Sequence, residues 1–377
     1  MPWREMSVET ERYEFVRLAR GGGLSMREAC RRFGVSPTTG YRWLARAHEQ
    51  GAEGLKDRSR APHTSPGRTP RAMEELVCGL RQRHPAWGGR KIHRVLRNDG
   101  VADVPPPSTC SSILRRFDLI TPPERARHAW QRFEHTAPNL LWQMDFKGHI
   151  AAGAGRCHPL TILDDHSRFN ICLSACADER SETVQEQLIT AFRRYGLPDA
   201  MLMDNGAPWG SDARHRHTRL TTWMMRRGVI IAHGRPFHPQ TQGKEERFHR
   251  TLKAEVLTTR PQWQSHDELQ RAFDGWRPVY NYRRPHEGIG MAVPGDRYVP
   301  STRRYTDTLP PIEYAPGDLV RKVQDHGRIS FRGRVHRVGR AFVGEPVALR
   351  ATEEDGVWEV YYCAQRITRI DLRESLP

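Results

Sequence analysis

Three carboxylates are the residues of this chain best placed to do chemistry: Asp145, Asp204 and Glu246. Asp145 lies inside the apolar run Leu140-Leu141-Trp142-Gln143-Met144-Asp145-Phe146, and Asp204 closes Ala200-Met201-Leu202-Met203 ahead of Asn205-Gly206. Glu246 follows His238-Pro239-Gln240-Thr241-Gln242-Gly243-Lys244-Glu245 and opens a helical stretch to Lys253. An acid embedded beside apolar strands costs several kcal/mol unless it is paired or bound to a cation. Three such acids in a chain of net charge +16 point to a divalent-cation site that works on phosphate.

The elements that must position these acids alternate between strand and helix from 139 to about 290, the pattern of an α/β layer domain. In the first strand Leu140, Trp142, Met144 and Phe146 share one face, and Gln143 and Asp145 the other. Gly153 and Gly155 mark a hairpin turn before the strand-like Leu160-Thr161-Ile162-Leu163, and Ile171 to Cys176 reads as a third strand. A helix from about Ser181 stops at Tyr195-Gly196 with Pro198 beyond it. Next come the strand ending at Asp204, a helix at about 218–227, the strand Val229-Ile230-Ile231-Ala232 and the helix of Glu246. A capping box at Ser265 and Glu268 opens a last helix to about Tyr282. On the Glu246 helix Phe248, Leu252 and Val256 form the inward stripe; Glu245 projects over that stripe and Glu246 lies about 100° away. Glu246 is therefore the better ligand, with Glu245 the alternative.

Ahead of this core, residues 8–50 read as three short helices. Ser25 and Glu28 form a capping box, and Ser36 caps a helix with Pro37 at its first position. Helix, glycine turn and helix at this spacing resemble a helix-turn-helix, with Thr38, Thr39, Tyr41 and Arg42 facing base edges and Trp43 and Leu44 packed inward. Residues 1–51 form that domain. Residues 52–69 are a basic linker in which Arg58 and Arg60 are candidate DNA contacts. Residues 70–120 form a second helix-turn-helix-like unit with Pro70 and Ser108 at helix starts, and 121–138 a Pro- and Arg-rich linker. Behind the core (139–300), residues 312–377 switch to short alternating strands, as in a small β-barrel; Ile329 to His336 alternates apolar and basic, so Arg332 and Arg334 are candidate DNA contacts.

Composition bounds the partners. Lys and Arg number 60 against 44 Asp and Glu, and residues 1–134 alone hold 25 basic and 15 acidic side chains. A basic front section calls for a polyanion. The seven cysteines are scattered without a CxxC pair, which supports neither a zinc ribbon nor a disulfide framework. No apolar run is long enough to span a bilayer, so the chain reads as cytoplasmic, nucleoid-associated when on DNA, with no membrane partner.

Residues 139–300 resemble the catalytic core of retroviral integrases and of insertion-sequence transposases, the DDE group. The likeness is carried by Trp142-Gln143-Met144-Asp145, by Asp204-Asn205-Gly206, by Arg235 through Leu252, and by Tyr280-Asn281-Tyr282-Arg283-Arg284-Pro285-His286 with Pro294 beyond. The resemblance implies a ribonuclease H-like fold and DNA strand transfer: terminal repeats of a mobile element are bound, a 3′ end is freed, and that end is joined to target DNA. A catalytically inactive regulator of domesticated origin and a nuclease or resolvase on the same fold are the alternatives. Asp145 would bridge two Mg²⁺ ions, with Mn²⁺ a substitute, and Asp204 and Glu246 would each complete one shell. Lys244, Arg247 and Arg250 would touch phosphates, and Asn205 and His238 would orient ligands or DNA. Asp164 and Asp165, with the chemistry for a metal, fall where the family has a structural strand-end turn. Joining two ends implies a homo-oligomer on double-stranded DNA; an accessory ATPase is not readable. One departure stands out: 41 residues separate Asp204 from Glu246, more than is usual, and the polar stretch Ser211 to His217 is taken as a loop insertion that absorbs the difference.

Overall fold

The computed structural model describes residues 7–58, 67–120, 134–210, 216–234 and 243–373. The chain divides into two compact units, 1–68 and 69–377.

In the first unit, α1 (Val8–Arg20), α2 (Met26–Arg32) and α3 (Pro37–Gln50) enclose Phe15, Val16, Ala29, Cys30, Trp43 and Ala47. The Ser36 hydroxyl accepts from the Thr39 amide at 3.2 Å, and Pro37 takes the first helical position, as the sequence predicts. Ser25 caps α2 in the same way, but the Glu28 carboxylate turns to Arg31 instead of reaching back, so only half of that capping box forms. α2 and α3 meet at Gly40, where an added Cβ would stand 2.6 Å from Cys30 Sγ and 2.8 Å from the Phe15 ring. The linker expected from residue 52 begins later than predicted: a short 3₁₀ turn, Gly51–Leu55, buries Leu55 against the helices.

The second unit opens with α4 (Arg71–Arg83), α5 (Gly89–Asn98) and α6 (Pro107–Arg116), which enclose Val77, Leu80, Trp87, Ile92, Val95 and Ile113. Pro106, not Ser108, stands at the cap of α6, with Pro107 preset for the first turn.

The central sheet holds β1 (Leu141–Phe146), β2 (Ile150–Ala152), β3 (Gly155–Asp164), β4 (Asn170–Cys176), β5 (Ala200–Met203) and β6 (Ile230–His233). β1 is central: β3 runs antiparallel on one side with β4 beyond it, and β5 and β6 run parallel on the other. α7 (Ser181–Tyr195) and α8 (Arg219–Arg226) cover one face, burying Val184, Leu188, Phe192, Leu220 and Met224 with Trp142, Met144 and Ile162. α9 (Gly243–Leu252) and α10 (His266–Pro278) cover the other, packing Phe248, Leu252, Leu269 and Phe273 on Leu163 and Leu173. Each of α9 and α10 runs into a wide π turn, Lys253–Leu257 and Val279–Arg283. Helices on both faces of a mixed five-strand path are the integrase-type, ribonuclease H-like arrangement that the motifs predict.

The C-terminal strands do not form the expected barrel. β7 (Leu319–Lys322), β10 (Pro346–Ala351), β11 (Val357–Tyr362) and β12 (Gln365–Asp371) make an open antiparallel sheet in the order β12-β11-β10-β7, and β8 (Arg328–Phe331) and β9 (Arg334–Arg337) make a separate ribbon. Among the described residues no pairing joins β12 to β7, so the ring is not closed. The sheet's apolar face (Val347, Leu349, Val360, Tyr362) joins the same core as α7 and α8, which removes the need to close on itself. The alternation read through Ile329 to His336 also breaks. Arg332 and Gly333 take positive φ (48° and 75°) in a two-residue turn that pairs Ser330 with Val335 and Ile329 with His336. Paired residues share a face, so Val335 follows exposed Ser330 and is itself 50% exposed.

Candidate active site

Parallel pairing decides where the first two acids meet. Leu141 aligns with Ala200 and Gln143 with Leu202, so continuing the register by two residues sets Asp145 opposite Asp204 at the same end of neighbouring strands. Asp204 is exposed one residue past β5, and its Oδ1 accepts the Gly206 amide at 3.0 Å. Asn205 donates to the Gly234 carbonyl at 3.0 Å, tying the ends of β5 and β6; its carboxamide braces the frame next to Asp204. Trp209 is buried and stacks on Phe146, centroids 5.6 Å apart, closing the loop over the end of β1.

Burial first, and the neighbouring Asp204 charge second, push Asp145 up from its ordinary value of 3.8 to about 7, against the Phe146 amide and Lys147. Such a carboxylate holds a proton until something else neutralises it. A hard divalent cation between the two acids would do so, and the donors are all oxygens.

The third acid is arranged less simply. Glu245 is 1% exposed and lies over the apolar stripe, as its helical position predicts. Full burial and then the Asp145 charge push it well above the usual carboxylate range. Thr161 Oγ lies 3.0 Å from the Asp145 carbonyl oxygen, 3.0 Å from Glu245 Oε2 and 2.9 Å from His249 Nε2. One hydroxyl proton cannot satisfy three acceptors, so Glu245 or the His249 ring must donate. Among the described residues, Glu245 Oε1 is buried without a hydrogen-bond partner. Glu246 is exposed on the same first turn. Among the described residues no three acid, His or Cys side chains converge closely enough to hold an ion. The structure thus brings Asp145 and Asp204 together, sets Glu245 beside Asp145, and leaves Glu246 one helical step outside.

Asp164 and Asp165 are each engaged by donors from the turn and its neighbours. Asp164 accepts from the Asn139 amide at 2.7 Å and from the Ser167 amide and hydroxyl at 2.8 and 2.6 Å. Asp165 accepts from Gln143, His135 and Lys244. Burial opposes the Asp165 charge, but these donors, Lys244 foremost, outweigh it and hold the acid below its usual range. Thr161, His135 and His249 were not singled out in the sequence. Only the i, i+4 spacing of Glu245 and His249 signals any of them.

The candidate DNA contacts sort by what already holds them. Thr38, Tyr41 and Arg42 are exposed on α3, Tyr41 by 61%, whereas the Thr39 hydroxyl lies 3.0 Å from Ser36 Oγ in the cap. Arg58 donates to Gln50 at 2.9 Å. Lys244 is drawn inward to Asp165. Arg247 and Arg250 are exposed on α9; Arg332 stands over the Trp358 ring and Arg334 donates to the Leu372 carbonyl at 2.8 Å, both exposed. Arg60 and His238 lie outside the described residues, as do 211–215 of the expected insertion. Among the described residues no helix is long and apolar enough to cross a membrane.

Residues 135–239 and 227–294 each match an integrase core domain, and 318–376 match the C-terminal domain of IS481 family transposases. Residues 11–63 match a helix-turn-helix domain and 39–114 a homeodomain-like domain. A 39.2 kDa protein of insertion element IS476 from Xanthomonas euvesicatoria is 25% identical over 232 residues, 59% of this chain and 63% of that protein. A 31.7 kDa protein of insertion element IS407 from Burkholderia multivorans is 26% identical over 161 residues, 42% and 55% of the two chains. The chain therefore spans less than two thirds of the length of either relative. Among solved structures, a simian T-cell lymphotropic virus intasome bound to a PP2A regulatory subunit is 14% identical over 78% of this chain and 98% of that one, with a TM-score of 0.38. An HTLV-2 integrase catalytic core with magnesium is 15% identical over 43% and 97%, with a TM-score of 0.34.

Proposed function

We propose that this chain is an insertion-sequence transposase with a retroviral-type integrase core, which binds the terminal repeats of its element and joins them to target DNA at a site built on Asp145, Asp204 and Glu246. The observation that carries the reading is the parallel register of β1 and β5, which when continued sets Asp145 and Asp204 at the same strand ends, with the proton affinity of Asp145 raised by burial and by the Asp204 charge. Asp145, Asp204 and Glu246 would hold Mg²⁺, with Mn²⁺ as a substitute. Two such ions, when bound, would activate the attacking oxygen, neutralise the phosphate and stabilise the leaving oxygen.

The chain's own residues do the rest. Asp145 would have to release any proton it carries in order to hold a cation, and the Gly206 amide donates to Asp204 Oδ1. The Thr161, Glu245 and His249 cluster holds the floor beneath β1. Water opens one phosphodiester and frees a 3′-hydroxyl; that hydroxyl then attacks a target phosphodiester, so one bond forms as another breaks and no enzyme-bound intermediate is needed. Residues 1–51 and 70–120 would recognise the ends, through Thr38, Tyr41 and Arg42 in the first unit. Arg247, Arg250, Arg332 and Arg334 would contact phosphates, as half or more of protein–DNA hydrogen bonds do. Joining two ends calls for at least two copies on the DNA.

The test is strand transfer by the full chain on paired element ends. Asp204→Asn is expected to abolish joining in Mg²⁺ while end binding stays within about twofold, since base and phosphate contacts lie elsewhere; joining retained by that variant refutes the assignment. Glu246→Gln should fall to the same level, and Glu245→Gln should lose less. The reverse order would transfer the third role to Glu245.

A further inference from the structure

Asp165 is 1% exposed at the turn after β3, and its carboxylate gathers donors from three other segments. Oδ2 accepts the His135 amide and the His135 ring Nδ1–H, each at 2.9 Å, from the segment ahead of β1. Oδ1 accepts Gln143 Nε2 at 2.6 Å, from β1 itself, and the Lys244 ammonium, from the first turn of α9. Gln143 stands two residues before Asp145, and Lys244 two residues before Glu246. One carboxylate therefore touches both the strand of the first acid and the helix of the last.

Local preference does not explain Lys244. The positive end of the helix dipole disfavours a cation in the first turn, and its side chain is only 19% exposed. A buried ion pair is a poor stabiliser but a demanding one, because its geometry must be met before its desolvation is repaid. We propose that Asp165 and Lys244 are positioning residues: their pair, braced by Gln143 and His135, sets the rotation of α9 about its axis and so fixes where its first turn, which carries Glu245 and Glu246, stands beside β1. The inference rests on the reading of Glu246 as the third acid, and it takes Lys244 out of the DNA contacts.

The test uses the full chain free of metal, and then with Mg²⁺ and element ends. Hydrogen exchange is read at the amides of Arg247 to Arg250, whose helical carbonyl partners lie in the first turn. Lys244→Met is expected to speed exchange there by about tenfold or more, leave end binding within twofold, and lower the joining rate by about 10–100-fold, the range found when a residue supporting metal ligands is lost. Lys244→Arg, which keeps the charge and the reach, should restore slow exchange and most of the rate. Asp165→Asn should repeat the Lys244→Met pattern; if it fails to fold, the two Lys244 variants carry the test. Unchanged exchange in Lys244→Met overturns the proposal, and so does a loss of end binding with the turn still protected, which would make Lys244 a phosphate contact. A loosened turn in Lys244→Met alongside full joining by Glu246→Gln would instead leave the clamp standing and remove the reading of Glu246.

Discussion

Asp145 carries the clearest pH signature in the chain. Its folded value of about 7 lies above its ordinary 3.8, so between those limits the native state holds a proton that the unfolded chain releases. By linkage its contribution to stability falls as pH rises across that window and levels off above it. Melting temperatures of metal-free protein from about pH 4.5 to 8 should show the decline, and Asp145→Asn should flatten it. A divalent cation competes with that proton, so the upward shift in melting temperature on adding Mg²⁺ should grow with pH until about 7 in the same series. A shift equally large at pH 5 would mean that the cation binds elsewhere. At this scale the sequence was partly legible. Asp145 and Asp204 stand out because each is an acid at the end of an apolar run. Asp165 does not, because its role depends on donors from residues 135, 143 and 244, which no local pattern connects.

Several elements whose signals are local came out as read, though the Ser25–Glu28 box forms only in half and Ser108 does not cap α6. The Ser36 cap with Pro37, the stop at Tyr195-Gly196 and the hairpin at Gly153 each depend on a few adjacent residues. The strand parity around Val335 did not, because a turn of two residues swaps the face that continues the pattern. The barrel failed for a wider reason: closure depends on what covers the sheet, and Val347 and Val360 found that cover in the core they share with α7 and α8. Helix contact in the N-terminal unit yields a sharp test. Gly40→Ala forces a methyl into Cys30 and Phe15 and should destabilise residues 7–58 by about 1–3 kcal/mol, the usual cost of overpacking. Thermal unfolding should show that loss in the transition of this unit, with the transition of residues 69–377 unmoved.

For the whole molecule the governing quantity is charge. A net +16 predicts end binding that weakens steeply with salt. Arg332→Ala should lower the slope of log affinity against log salt by about one while weakening specific and random duplexes alike. Arg42→Ala should instead narrow the gap between element ends and random DNA, because its site is on the exposed face of α3. Titrations at several salt concentrations separate the two.

β6 ends the central sheet, and its outer rim would otherwise offer unpaired amides and carbonyls to any passing strand. The Gln365 carboxamide fills that seat: its Nε2 donates to the Ile231 carbonyl and its Oε1 accepts the Ile231 amide, both at 2.8 Å. A single side chain thus impersonates a neighbouring strand, and an incoming strand would first have to displace it. Gln365→Ala would leave the chemistry of the acids intact and yet make the protein prone to sticking edge to edge.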